Sequence, residues 1–198
     1  MAATLGFSVP ELLDDVFALY TAPNSATQKV VFKNRYQADA IFEDPLFRVH
    51  TAADREAQFA SLPALFSRIE IERAQDAANA TVQPVPPIAA AQDAIPQSMS
   101  NVPLVRIDVP NTQIYYLPKV MGYGPKIEVP GVTRLTVERD TGKVVKHQDV
   151  WNMTGEHLPG VLPLLGSVAA FIYAKVKGPL GKGVSLGLRG MNQVGLLK

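Results

Sequence analysis

The stretch VTRLTVERDTGKVVKHQDVWN, residues 132–152, constrains this chain more than any other. Two runs rich in β-branched residues flank Asp140-Thr141-Gly142, and that pattern spells a β-hairpin. Gly142 supplies the positive φ that a three-residue loop needs. The spacing sets Arg139 opposite Lys143, Val137 opposite Val145, Leu135 opposite His147 and Thr133 opposite Asp149. On the other face Glu138 meets Val144, Thr136 meets Lys146 and Arg134 meets Gln148. Because side chains alternate along a strand, this second face is expected to be charged and wet. The first collects Leu135, Val137, Val145 and Trp151, with His147 and Asp149 among them. An ionised carboxylate there needs a hydrogen-bonding partner or water, since burying it alone is costly.

Helices come before the strands. SVPELLDDVFALYTAP opens with Ser8 as a cap, Pro10 in the first turn and Glu11 near the positive end. Leu12, Leu13, Val16, Phe17, Leu19 and Tyr20 then form a broad apolar face. A second helix is expected over 26–43, because Phe32, Tyr36 and Ala40 lie four apart, with Pro45 stopping it at Asp44. A third is expected over 52–67, kinked or shortened by Pro63. The period then changes to two in RIEIER, residues 68–73. Residues 74–101 turn to Ala, Pro, Gln and Asn, a loop insertion or two ragged strands. LVRIDV and QIYYLPKV read as two strands interrupted by Pro110-Asn111. The fold class expected is α+β, an N-terminal helical part followed by an antiparallel sheet.

With 198 residues, 47% of them hydrophobic, the chain suits one domain with an appendage. It has no cysteine, and its three histidines have no zinc-site spacing, so no metal and no cofactor is expected. The net charge of +1 hides an asymmetry: residues 1–156 carry −4 and residues 157–198 carry +5. An acidic body argues against nucleic acid as a partner. Residues 158–174 form an uncharged run of 17, short of the ~20 that a spanning helix needs. Such an apolar-basic segment suits peripheral contact with an anionic membrane surface through Phe171, Lys175, Lys177 and Lys182. Docking on the domain or in a homodimer interface is the other reading. The start lacks a secretory pattern, so a cytoplasmic location is expected, peripheral to a membrane if the tail binds one.

YQADAIFEDPLFRV, residues 36–49, resembles the second-helix segment of SnoaL-like domains, and GKVVKHQDVWN, residues 142–152, resembles their final strand. These domains belong to the nuclear transport factor 2-like superfamily. The resemblance spans about residues 8–153 and implies a cone, with a curved antiparallel sheet wrapped around N-terminal helices and a pocket at its open end. The domain is accordingly drawn at 5–155, with the insertion at about 74–101 and the appendage at 156–198. The superfamily includes polyketide cyclases, ketosteroid isomerase, limonene epoxide hydrolase and binding modules without chemistry. In the cyclases and the epoxide hydrolase an Asp on a late strand does acid/base work, and Asp149 is the similar position here. Two departures stand out: Arg134 points to the wet face, and no tyrosine–protonated-aspartate oxyanion pair can be placed.

The candidate catalytic residues are therefore Asp149, removing a proton or activating water, and His147, orienting substrate or relaying the proton. Tyr36, Asp44, Leu135, Val137 and Trp151 are the candidate pocket residues. The bland alternatives are a satisfied polar pair, with Asp149 bonded to Tyr36, an Arg or water, and Asp44 as a turn cap. The function expected is binding of a small hydrophobic ligand, with cofactor-independent acid/base conversion if Asp149 does chemistry there and a ligand pocket without chemistry otherwise. The alternative is a non-enzymatic dimerising or scaffold module held at a membrane by its tail.

Overall fold

The computed structural model describes residues 5–73, 80–86, 95–96, 99, 102–118, 126–152 and the backbone of 185–186. Helix α1 (Val9–Thr21) starts at Ser8, although the Ser8 side chain makes no cap bond. All six residues of its expected apolar face are buried. Helix α2 (Ser25–Arg35) is capped by Asn24, whose Oδ1 accepts from the Thr27 backbone N–H at 3.1 Å. Helix α3 (Ala52–Leu65) begins with a reciprocal cap: Asp54 N–H donates to Thr51 Oγ1, and that hydroxyl donates to Asp54 Oδ2. Pro63 lies inside α3 near its end.

The second helix does not reach Glu43. It stops at Arg35, and Tyr36–Glu43 is strand β1, with Tyr36 already extended at φ −113° and ψ 145°. The four-residue spacing of Phe32, Tyr36 and Ala40 fits a helix locally. Pairing with a strand more than 100 residues away decides otherwise, as tertiary contacts override weak propensities. Phe47–Val49 is β2, Arg68–Arg73 is β3 and Thr81–Pro84 is β4, so one ragged strand does lie in the insertion. Leu104–Tyr116 is β5, Lys126–Glu138 is β6 and Val144–Trp151 is β7.

Among the described residues the strands form one open sheet of order β3-β5-β6-β7-β1-β2-β8, with β4 also on β5 and β8 being Ser185–Leu186. It is mixed rather than purely antiparallel, since β1 runs parallel to β7. β5 is a single strand through Pro110-Asn111, not two. β4 covers residues 105–108 of its flank and β3 covers 111–116. The Leu104 and Tyr116 carbonyls face that flank, so by period two Pro110 does as well. It falls between the β4 and β3 pairings, so among the described residues its missing N–H deprives no strand partner.

The β6–β7 hairpin turns at Gly142, with φ +70°, and a Cβ there would sit 2.7 Å from the Phe7 ring. The expected register holds at Thr133–Asp149, Arg134–Gln148, Leu135–His147 and Thr136–Lys146. Nearer the turn it shifts by one, so Val137 faces Val144 and Val145 is the extra residue. The outer face is drier than expected. Arg134 forks onto Asp108 at 2.9 and 3.1 Å and stays part-exposed, but Thr136, Glu138 and Lys146 are buried. β1 provides the reason: its Glu43 lies 3.3 Å from Lys146 Nζ, and its Gln37 donates to Glu138 at 2.5 Å.

The helices pack on the inner face, where Leu12, Val16, Leu19, Phe59, Ile107, Leu135 and Val137 are all buried to 1% exposure or less. Gln28 ties the three helices together, its Nε2 donating to the Leu19 and Phe59 carbonyls at 2.9 Å. No helix among the described residues is long and apolar enough to cross a membrane. β8 pairs antiparallel with β2, Leu186 opposite Phe47. Phe171, Lys175, Lys177 and Lys182 lie outside the described residues.

Candidate functional site

Inner-face rows run across the sheet and bring distant residues side by side. One row reads Val109, Thr133, Asp149; the next reads Ile107, Leu135, His147, Phe42, Val49. Helix α1 lays Tyr20 over these rows from its buried stripe. β1 begins at Tyr36 and delivers that phenol from the far side. All are buried: His147 is 0% exposed, and Tyr20, Tyr36 and Asp149 are 4% exposed each. Four aromatic rings, those of Tyr20, Tyr36, Phe42 and Phe59, lie with centroids 5.0 to 6.2 Å from the imidazole.

The hydrogen bonds have a direction. Tyr20 Oη donates to Asp149 Oδ2 at 2.5 Å, since a carboxylate only accepts. That uses the single proton of Tyr20, so its contact with His147 Nε2 at 3.0 Å requires the imidazole to donate. Nε2 thus carries a proton, and in the neutral ring Nδ1 accepts from Tyr36 Oη at 2.8 Å. From the other side Asn111 Nδ2 donates to Thr133 Oγ1 at 3.0 Å, and Thr133 donates to Asp149 Oδ1 at 2.8 Å. Both chains of donors end on one carboxylate. His147 Nε2 itself stands 3.7 Å from Asp149 Oδ1, close enough for charge but too far for a hydrogen bond.

Burial pushes the Asp149 carboxyl upward, but the proximity of His147, with the Tyr20 and Thr133 hydroxyls, outweighs it and holds the group below its ordinary value. Burial first, then the charge of Asp149, drives Tyr20 and Tyr115 well above the usual phenol range. Burial also raises Tyr36, against the pull of Arg55. The phenols are therefore proton donors throughout the neutral range. Asp44 is pushed up to about 7, chiefly by burial and with a contribution from Asp149, although two backbone N–H groups and Gln58 oppose the shift.

Of the expected site residues, the structure brings Asp149, His147 and Tyr36 together. Tyr36 bonds to His147 rather than to Asp149. Asp44 caps the β1–β2 turn: its Oδ1 accepts from Leu46 and Phe47 N–H at 2.8 and 2.7 Å, and its Oδ2 accepts from Gln58 at 3.1 Å. Leu135 and Val137 are sealed in the core at 0% exposure. Trp151 lines a cleft of about 750 Å³ with Arg73, Pro110, Gly131, Val150 and Asn111. Asn111 joins that cleft to the network through Thr133. Tyr20, Thr133, Asn111 and Arg55 were not anticipated. Only Thr133 carried a signal, its cross-strand position opposite Asp149. Among the described residues no cluster of three or more His, Asp or Glu could hold a metal ion.

No protein-family model and no curated protein sequence matches the chain. Solved structures do. A protein from Kribbella flavida superposes with a TM-score of 0.54 at 12% identity, covering 75% of this chain and 90% of that one. A candidate scytalone dehydratase from Novosphingobium aromaticivorans gives 0.51 at 11% identity, covering 73% and 82%. A candidate SnoaL-like polyketide cyclase from Shewanella putrefaciens gives 0.46 at 12% identity, covering 79% and 99%. The chain shares the fold of these structures, helices on a curved, open, mixed sheet, which is the nuclear transport factor 2-like cone. At these identities the likeness speaks of the cone, its helices and its curved sheet, and of nothing chemical. In this cone the buried His147–Asp149 network occupies the inner face of the sheet beneath α1.

Proposed function

We propose that the interior of the cone binds a small, largely apolar molecule bearing a carbonyl, and that His147 and Asp149 carry out acid/base chemistry on it with side chains alone. The observation that carries this reading is the one-way set of hydrogen bonds ending on a buried carboxylate. A core built only for packing gains as much from apolar residues as from a buried ionic network. Clusters of buried groups with displaced pKa values concentrate where protons are moved.

Each group then has a role. Asp149, with a hydroxyl donor on each oxygen, stays ionised and anchors Tyr20. Tyr20 in turn accepts from Nε2–H, which leaves Nδ1 as the basic nitrogen. When the Tyr36 hydroxyl turns from Nδ1 to a substrate carbonyl oxygen, Nδ1 is free to take a proton from the neighbouring carbon. Tyr36 stabilises the enolate that forms. Proton removal thus falls to His147, and Asp149 becomes the anchor rather than the base. A base and a hydroxyl donor are also the two groups that a loss of water uses: the proton taken up by Nδ1 returns to the departing β-hydroxyl.

The test is a panel of hydroxylated aromatic ketones in heavy water, followed by proton NMR for deuterium uptake beside the carbonyl and by thermal shift for binding. At least one ketone is expected to stabilise the protein and to exchange faster in its presence. His147→Gln should slow that exchange by about 100-fold or more. If no ketone binds and none exchanges, the reading is wrong. A dimerising or membrane-held scaffold would leave the whole panel untouched, so the same experiment separates the two.

A further inference from the structure

We propose that Arg55 is the positioning residue for the Tyr36–His147 pair: its guanidinium props open a bulge in β1 and so sets the Tyr36 hydroxyl against Nδ1. The inference rests on the reading of the site given above and assigns it a residue from a different element.

β1 and β7 do not advance in step. Between two paired positions β1 moves from Tyr36 to Ile41 while β7 moves only from Val144 to Lys146. The five-residue step against a two-residue step leaves three residues of β1 in excess, and their carbonyls cannot all reach β7. Arg55 takes up two of them. Its Nη1 donates to the Ala40 carbonyl and its Nη2 to the Gln37 carbonyl at 3.3 Å. A planar fork with donors on both arms can do this, while a lysine ammonium is a single point.

The same guanidinium grips the phenol. Its Cζ lies 5.4 Å from the centre of the Tyr36 ring and 5.3 Å from that of Phe32. Tyr36 is thereby held at its base by the bulge, on its face by a cation and at its tip by His147 Nδ1. Arg55 is only 2% exposed, and its Nε has no hydrogen-bond partner among the described residues, so the position exacts a desolvation cost that a plain strand register would avoid. An unbulged β1 would move Tyr36 along the sheet, away from the nitrogen it now meets. The positive charge also counters the upward push of burial on the Tyr36 phenol, which makes it a better donor.

The test uses the full chain with Arg55→Met and Arg55→Lys. Long-range nitrogen–proton NMR reads the two imidazole nitrogens of His147, assigned by loss of their signals in His147→Gln, and thermal unfolding is measured alongside. In the unmutated protein Nε2 is expected to carry the proton and Nδ1 to show the shift of a hydrogen-bonded acceptor. Arg55→Lys should weaken the Nδ1 hydrogen-bond shift, and Arg55→Met should abolish it, as Tyr36→Phe should. Combining Tyr36→Phe with Arg55→Lys should add nothing further. If the imidazole signals stay as they were while only the melting temperature falls, Arg55 is a packing residue and the proposal is overturned. Should Arg55→Met not fold, the lysine variant decides alone. The readout needs no substrate, so an inert ketone panel and an unmoved imidazole are separate failures.

Discussion

Lys146 and Asp149 sit three residues apart on β7, on opposite faces, both nearly buried at 6% and 4% exposure, and their charges are met in different ways. Lys146 has a carboxylate, Glu43, at 3.3 Å on the neighbouring strand. Asp149 has the His147 imidazole at 3.7 Å, and its two oxygens are filled by hydroxyls from α1 and β6. The first arrangement ties two strands together by charge and has no preferred direction of proton flow. The second fixes the direction of the bonds onto Asp149, because each hydroxyl has one proton to give and a carboxylate only accepts. The outer pair is a clasp. The inner network is a set of donors aimed at one carboxylate.

That contrast can be broken by experiment. Asp149→Ala should have the largest effect, a loss of about 3–5 kcal/mol in urea unfolding, because it strands the buried Tyr20 and Thr133 hydroxyls and leaves His147 without its anchor. Tyr20→Phe keeps the ring and removes only the bridging hydroxyl. It should cost about 1–3 kcal/mol by the same measurement, for an unsatisfied carboxylate oxygen and Nε2–H. A neutral result would mean that Asp149 and His147 do not need Tyr20 between them.

The pH dependence sharpens the comparison, since the two acidic groups act with opposite sign. Asp149 is held below its ordinary value of 3.8, so its contribution is present above that pH and is lost as pH falls through the lower folded value. Asp44 is raised to about 7, so the folded chain keeps a proton that the unfolded chain has released. Stability from Asp44 therefore declines as pH rises from about 4 to about 7 and is level above that. Asp44→Asn should remove this decline, since an amide oxygen can still accept from the Leu46 and Phe47 N–H groups. Melting temperatures across that interval check it, and parallel curves for the two proteins would contradict it. The smallest effect is expected from Lys146→Met, about 0.5–1 kcal/mol in urea unfolding, because Glu43 remains part-exposed and can take water as its partner. A loss as large as that of Asp149→Ala would erase the distinction between clasp and network.

What could be read in the sequence was local. Gly142 and the period of two placed His147 and Asp149 on one face, and placed Leu135 and Thr133 opposite them, because a tight turn and side-chain alternation act over a few residues. The helix stripe of α1 was legible for the same reason, although nothing in it marked the Tyr20 hydroxyl as the bridge. The rest of the site is made by residues far apart in the chain: Tyr20 and Asp149 by a separation of 129, Tyr36 and His147 by 111. Tyr36 could be a helix or a strand residue by its own neighbours, and parallel pairing with β7 settled it. Arg55 carried no signal, since the bulge it fills exists only once β1 lies against β7. The sequence by itself determined which residues of β7 face inward. Only the tertiary structure decided which donors meet them, because hydrogen-bond direction depends on partners that no local pattern specifies.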